Sequence, residues 1–437
     1  MNGVPLDNLP AGWRSLRLKW VLEALESGRR EVSTTDGFEG GVLSVGGEHI
    51  GWQGQWLLDK PRFVSREFFD AMTAGRIREN DILLVKDGAT IGKVAIAQPL
   101  PAQDCAVNEH VFLLRINAGN HAKYYFYVVQ STLIQDQIQL EVRGSAQPGL
   151  NSEFRNVVVL PEPPELAQRS IARYLDRETA RIDALVGKKQ KQIELLQEKR
   201  SALISHAVTK GLDPNVKMKD SGIEWLGEIP ESWQAKRLRF LVSEPLKYGA
   251  NESAELDDPD LPRYIRITDV DENGRLREDT FKSLPEDVAR PYLLKEGDLL
   301  LARSGATVGK SFYYEPSWGL AAYAGYLIRA RFNPARMMPS FVNYFTNSQQ
   351  YWQWLGSSFI QATIQNVSAE KYANLTVPVP PLPEQRAIAA FLDCETARID
   401  ALIEKVEKSI ELLREYRTAL ISAAVTGKID VSKEAGI

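Results

Sequence analysis

The run most suggestive of chemistry is Gly305-Ala306-Thr307-Val308-Gly309-Lys310-Ser311, whose residue types are those of a loop that wraps a phosphate. Its spacing is wrong for that task. Such a loop needs four residues between its first Gly and the Gly-Lys pair, so that successive backbone N–H groups surround the anion. Here three intervene, and the related run Gly88-Ala89-Thr90-Ile91-Gly92-Lys93-Val94 lacks the magnesium-binding hydroxyl after its lysine. No Gly-x-Gly occurs among the 30 glycines, which removes the usual glycine loops of dinucleotide, S-adenosylmethionine and kinase sites. Pro163-Pro164 precedes Glu165 and Pro380-Pro381 precedes Leu382, so the Pro-Pro-aromatic motif of methyltransferases is missing as well. No lysine has an acidic residue two positions before it, the pattern of metal-dependent nucleases. His49 and His110 are the candidate general bases, but Asp269 and Tyr326 occupy the corresponding places in the second half of the chain, which favours polar or surface roles for both. Two cysteines far apart, Cys105 and Cys394, and four histidines without ligand spacing predict neither a disulfide nor structural zinc. The chain reads as one that binds and does not catalyse.

With 437 residues, 44% hydrophobic and 25% charged, it has material for two or three cores. It contains no apolar run of membrane-spanning length, and MNGVPLDNLPAGW lacks the layout of a secretion signal, so a cytoplasmic protein without membrane contact is expected. The net charge of −4 means that any basic surface is local.

The elements that would carry such a surface are organised by a duplication. At an offset of 217 residues, Gln168–Asp213 pairs without a gap with Gln385–Asp430, and 30 of the 46 positions are identical. The same offset matches NDILLVKDGATIGK (80–93) with GDLLLARSGATVGK (297–310), and Tyr127 and Ser131 with Tyr344 and Ser348. An offset of 220 matches LPAGWRSLRL (9–18) with IPESWQAKRL (229–238). Each half thus opens on Pro-x-x-Trp, runs through a divergent stretch, and passes a Pro-rich hinge into a near-identical helix.

In those helices Ile182, Leu185, Lys189, Ile193, Leu196, Arg200, Leu203 and Ala207 recur at spacings of three or four, as do Ile399, Leu402, Val406, Ile410, Leu413, Arg417, Leu420 and Ala424. So narrow a stripe predicts a coiled-coil seam. Proline before each helix and Gly211 or Gly427 after it bound a segment of more than forty residues, roughly 60 Å at the α-helical rise. Neither helix can bury its stripe alone, and antiparallel packing of the two is the economical solution. Runs such as DILLVK, VFLLRI, NVVVLP, YIRI, DLLLAR and LTVPVP predict strands, while AKYYFYVVQSTLIQDQI and MPSFVNYFTNSQQYWQWL predict helices. The expected fold is α+β: two globular mixed domains (1–163 and 213–381) joined by long helices (164–212 and 382–431) packed as an antiparallel coiled coil, a pseudo-twofold internal repeat with a short tail at 432–437.

The ordered set Pro-x-x-Trp, D-I-L-L-V-K-D-G-A-T-I-G-K and Q-R-x-I-A-x-(Y/F)-L-D-x-E-T-A-R-I-D-A-L, present twice, resembles the specificity subunit of type I restriction-modification systems, and the match covers nearly the whole chain. The resemblance implies two target-recognition domains, each reading one half of a bipartite site on double-stranded DNA, with helices that act as spacer and as dock for two methyltransferase subunits, joined by motor-nuclease subunits. It also implies that S-adenosylmethionine, ATP and magnesium belong to those partners and none to this chain. Near-identical helices beside divergent domains fit one docking surface shown twice and two half-sites read by two faces. A coiled-coil scaffold presenting two protein- or ligand-binding domains is the alternative.

For DNA contact the candidates are basic and amide side chains beside the expected turns: Lys86, Lys93, Arg143 and Gln147 in the first domain, Arg266, Arg303, Lys310 and Gln365 in the second. Lysine and arginine hold phosphates, and arginine and glutamine can also read base edges. For docking or cross-helix pairing they are Gln168, Arg169, Asp176, Glu178, Arg181 and Asp183, which recur as Gln385, Arg386, Asp393, Glu395, Arg398 and Asp400.

Overall fold

The computed structural model describes residues 9–31, 41–144, 148–271, 276–305, 307–359 and 366–431. Its longest elements are two helices, Glu165–Lys210 and Leu382–Val425, of 46 and 44 residues. Both end as the sequence predicts, because Gly211 and Gly427 adopt left-handed φ values of 80° and 72° that a residue with a Cβ rarely takes.

The chain divides into two compact units, and the division does not follow the sequence halves: one unit is Met1–Gln190 with Lys408–Ile437, the other Lys191–Glu407. Each unit therefore holds a globular region, the first part of that region's own long helix and the last part of the other helix. In the first unit the Tyr124 hydroxyl donates to the carbonyls of Pro161 and Val425, while Asp183 pairs with Arg417 further along. The helix segments therefore run antiparallel, and Ile171, Leu175 and Ile182 share one core with Leu420, Ile421 and Val425. In the second unit Arg200 pairs with Asp400, and Ile204 and Val208 share a core with Ile388 and Leu392.

Each globular region is built on a four-stranded antiparallel sheet. In the first unit the order is Leu22–Ser27, Val111–Ile116, Ile82–Val85, Val94–Ile96, and in the second Lys247–Tyr248, Leu327–Ala330, Leu299–Ala302, Ser311–Tyr313. A second small sheet contains a parallel pair, Val42–Val45 with Cys105–Val107 and Arg263–Ile265 with Ala321–Tyr323. The Pro-x-x-Trp opening feeds a strand that pairs with the hinge strand in the same register in both units, Arg14↔Glu162 and Gln234↔Val379.

That opening is a turn that seats its tryptophan under a helix end. Trp13 N–H and Trp233 N–H donate back to Pro10 and Pro230. A Cβ on Gly427 would collide with the Pro10 ring, and one on Gly211 would touch Trp233 at 3.4 Å. Trp233 is fully buried and donates to Glu384 of the second long helix at 3.0 Å.

Two expectations need correction. Each continuous helical run after the main sheet is broken in two, giving Ala122–Gln130 and Thr132–Glu141, and Pro339–Phe345 and Gln349–Phe359. Ser131 is extended and its hydroxyl turns back to the Val128 carbonyl at 2.6 Å, as that of Ser348 does to Phe345, so each serine competes with the helix for its own backbone. Leu185 and Leu402 are not in the seam: they are 39% and 42% exposed. The seam keeps alternating spacings of four and three through Ile182, Val186, Lys189, Ile193, Leu196, Arg200 and Leu203, and through Ile399, Ile403, Val406, Ile410, Leu413, Arg417 and Leu420. Leu185 and Leu402 stand one residue out of that phase, roughly 100° around the helix.

Candidate functional site

The Gly-Ala-Thr-x-Gly-Lys run is the connection of a hairpin. Val85 N–H donates to Lys93 and Gly92 N–H to Val85, and in the second unit Ala302 N–H donates to Lys310 and Gly309 N–H to Ala302. Lys93 and Lys310 N–H close on Thr90 and Thr307 inside the turn. Amides spent in this way cannot cradle a phosphate, so what the turn offers a ligand is its side chains.

Around this hairpin the two units share a backbone frame. Lys86 N–H donates to the His110 carbonyl, and the Lys86 carbonyl accepts Leu150 N–H at 2.8 Å; Arg303 N–H donates to the Tyr326 carbonyl, and the Arg303 carbonyl accepts Val367 N–H at 2.8 Å. Lys86 and Arg303 are thus equivalent positions, but their surroundings differ. The Lys86 ammonium lies 4.9 Å from the Phe112 ring and 3.9 Å from Asp87. The Arg303 guanidinium lies 4.8 Å over the Tyr248 ring and donates to Asn366. A guanidinium over an exposed tyrosine ring is a surface suited to stacking and to forked donation.

In the first unit the frame joins Lys86 to the hairpin Val142–Arg143 with Gly149–Leu150, whose connection passes 145–147. Arg143 is exposed there, its guanidinium donating to the Leu140 carbonyl at 3.0 Å. Lys93 is 9% exposed, with its ammonium 5.7 Å over the ring of Trp52, while Lys310 is half-buried. Arg266 donates to both oxygens of buried Asp269 and to the Thr280 carbonyl, so the donors that suggested DNA contact hold its own loop closed. Gln147 and Gln365 lie outside the described residues.

The recurring helix residues fall into three groups. Gln168 and Gln385 are buried: their amide oxygens accept the backbone N–H of His121 and Met338, and their amide nitrogens donate to Pro163 and Pro380. Asp176 and Asp393 accept the phenol hydrogens of Tyr127 and Tyr344 at 2.8 and 2.6 Å. These four fasten each long helix to its own globular region, and the burial of Gln168 and Gln385 takes those two off any partner surface. Asp183 and Asp400 form the cross-helix ion pairs, to Arg417 at 3.1 Å and Arg200 at 3.0 Å. Arg169, Arg181, Arg386 and Arg398 are exposed, and Glu178 and Glu395 pair along their own helix, with Arg177 and Arg181 in one case and Arg398 in the other.

A buried ionic network escaped the sequence reading. Arg115 bridges Glu26 and Asp81 in the first unit, and Arg331 bridges Glu244 and Asp298 in the second. Burial drives the Asp81 carboxyl above its ordinary value in spite of Arg115. For Glu26, burial raises, but the Gly75 N–H and the Arg115 guanidinium outweigh it and lower the carboxyl. Carboxylates locked on a guanidinium under a sheet are brackets for the hairpin, not free acids or bases. The signal was present as a recurrence, but its offsets of 216 to 218 slide across short insertions and blur a fixed-offset match. Both histidines are likewise engaged locally, His49 with Gly46 and Lys60, His110 with Asp87 and Glu109. Cys105 and Cys394 are unpaired thiols. Among the described residues no acidic, histidine or cysteine cluster could hold a metal, and no helix is long and apolar enough to cross a membrane.

Comparison with known proteins gives a consistent result. The sequence model for the family described as type I restriction modification DNA specificity domain matches residues 10–195 and 244–412. The MjaVIII type I restriction enzyme specificity subunit of Methanocaldococcus jannaschii is 26% identical over 377 residues, 81% of this chain and 80% of its own. The EcoKI specificity subunit of Escherichia coli is 26% identical over 214 residues, 46% of this chain and 44% of its own. A solved structure from work on complex assembly and conformational transition of the type I R-M system superposes with a TM-score of 0.73 at 17% identity, over 97% of this chain and 100% of the other. The HsdS subunit from Thermoanaerobacter tengcongensis gives 0.51 at 17% identity, over 97% of this chain and 98% of its own. At those identities the likeness to solved structures is one of fold.

Proposed function

The chain belongs to the type I restriction-modification DNA specificity family, and on that premise we propose that it is the sequence-specificity subunit of a type I restriction-modification complex. Each globular region reads one half of a bipartite site on double-stranded DNA. The chain itself is non-catalytic. Two methyltransferase subunits bring S-adenosylmethionine, and motor-nuclease subunits bring ATP and magnesium.

One observation carries the reading. The same backbone frame presents Lys86 on Phe112 in one unit and Arg303 on Tyr248 in the other, so one device is aimed at two different sequences. Lys86, Lys93, Arg143, Arg303 and Lys310 are the proposed DNA contacts with described positions.

The docking surface is the outward side of the long helices. Leu185 and Leu402 are exposed at equivalent positions, as are Leu195 and Leu412 at 53% each. Arg181 and Arg398, one turn before Leu185 and Leu402, stand exposed beside them, and Arg169 and Arg386 are exposed nearer the helix starts. Exposed leucines flanked by charge fit a partner helix, and their recurrence fits one kind of partner bound twice.

Mapping methylated sites in cells that carry this chain with its methyltransferase tests the reading. A split, asymmetric motif is expected, and exchanging the globular region 1–163 for that of another family member should change one half of it. A continuous or palindromic motif would remove the two-reader reading. Absence of any sequence-dependent methylation would favour a scaffold.

A further inference from the structure

A cavity of about 360 Å³ in the first unit lies outside every site assigned above. Its walls come from the globular region, through Trp52, Gln130 and Asp136, and from the last turns of the second long helix, through Arg414, Arg417 and Thr418. Trp52 is 61% exposed, a large apolar surface left open to solvent at the mouth of the cavity. Its ring carries the ammonium of Lys93 at 5.7 Å, so the cavity continues from one of the proposed DNA contacts. Both amide atoms of Gln130 are buried without a hydrogen-bond partner. Desolvated donors and acceptors of that kind call for a polar occupant.

The charges identify the occupant's sign. Arg417 is committed to Asp183 and to the Gln53 carbonyl. Arg414 is exposed and its guanidinium forms no ion pair among the described residues, so it is the donor left over. Asp136 is the one carboxylate lining the cavity, and because Asp183 neutralises Arg417, Arg414 and the neighbouring Lys93 outweigh it. The Thr418 hydroxyl donates back to the Arg414 carbonyl at 3.1 Å, which leaves a forked guanidinium, a glutamine amide and a flat indole; together they match an anion attached to an apolar ring, as in a phosphate with its sugar.

We propose that this cavity seats a backbone phosphodiester of the bound DNA. Arg414 holds the phosphate, Gln130 donates to it, and Trp52 covers the adjoining sugar. The inference rests on the DNA-reading role above and adds that the spacer helix itself grips the duplex, without reading bases. The grip belongs to the first unit alone. Positions 414 and 418 correspond to Gln197 and Ser201, and where the first unit has Gln135 and Ile138 the second has Trp352 and Leu355, which fill the space over Gly309.

The test uses the chain assembled with its methyltransferase subunits and a duplex carrying the methylated motif, with affinity measured across a salt series. Arg414→Gln should weaken binding roughly tenfold at low salt and flatten the slope of log affinity against log salt by roughly 0.9, the loss of one phosphate contact, with the motif unchanged. Trp52→Ala should weaken binding several-fold without altering the motif, and Gln197→Ala should match wild type. An unchanged slope in Arg414→Gln would overturn the proposal. So would a changed half-site, which would make the cavity a base reader, or loss of methyltransferase assembly, which would make it a protein contact. Wild-type complex that shows no motif preference would fail the DNA-reading role itself, a result separable from a normal wild type beside an unaffected Arg414→Gln.

Discussion

The two compact units share their fastenings and differ in what they expose. Gln168 and Gln385 each accept the N–H 47 positions before them. Thr132 N–H donates to Ser422 and Gln349 N–H to Ser205, so each globular region is also tied to the other half's helix by the same serine. Around this frame the faces diverge, with Trp52, Lys93 and Gln135 near the hairpin of one unit and Trp352, Leu355 and Tyr248 near that of the other. The difference teaches where each kind of constraint lies. A buried bond needs both partners and a fixed geometry, because a lone buried polar group costs about 1–3 kcal/mol. An exposed side chain answers only to its ligand.

If the fastenings are equivalent in kind, their strengths should still follow burial, and the tryptophans give the largest contrast. Trp233 is wholly buried and bonded to Glu384, whereas Trp13 is partly exposed. Trp233→Ala should destabilise its unit by about 3–5 kcal/mol, and Trp13→Ala by about 1–3 kcal/mol, read as separate transitions in chemical denaturation. Equal losses would mean that the opening turns are not held by burial. The ion pairs sharpen the comparison at a lower energy. The Arg417 side chain is 9% exposed and that of Arg200 is 36%. A double-mutant cycle on Asp183 and Arg417 should give a coupling of about 1.5–3 kcal/mol. The equivalent cycle on Asp400 and Arg200 should give about 0.2–1 kcal/mol. Reversed values would break the link between burial and strength.

Much of this frame was legible in the sequence, because apolar spacings of three and four along each long helix and a gapless duplicate leave little room for another fold. The helix ends followed from Gly211 and Gly427, and the short spacing of the glycine turn excluded a phosphate loop. What the sequence left ambiguous depended on burial. Gln168 and Asp176 recur as faithfully as Arg181, and recurrence alone does not separate a side chain turned into its own domain from one offered to a partner. Leu185 and Val186 are adjacent and both apolar, so the seam's phase was decided by three-dimensional packing against the other helix. Arg266 looked like a free cation until Asp269, three residues on, proved to hold it. Trp52 and Arg414 are 362 positions apart, and only the fold brings them to one cavity.

The tyrosines that fasten the long helices should give an effect with a definite pH signature. Burial, reinforced by the bond to Asp393, pushes the Tyr344 phenol up from near 10 to about 12, and burial raises Tyr127 as well. A phenol whose folded value is raised stabilises the fold fully below its unfolded value near 10, and that contribution is lost as pH rises through about 12. Tyr344→Phe should therefore cost about 1 kcal/mol at neutral pH, and the gap from wild type should shrink between pH 10 and 12. Tyr127→Phe should behave alike, with its gap closing at higher pH because Tyr127 is the more deeply buried of the two. A gap that stays constant across that window would show that these phenols do not donate to Asp176 and Asp393, and the match between the two fastenings would then rest on the glutamines alone.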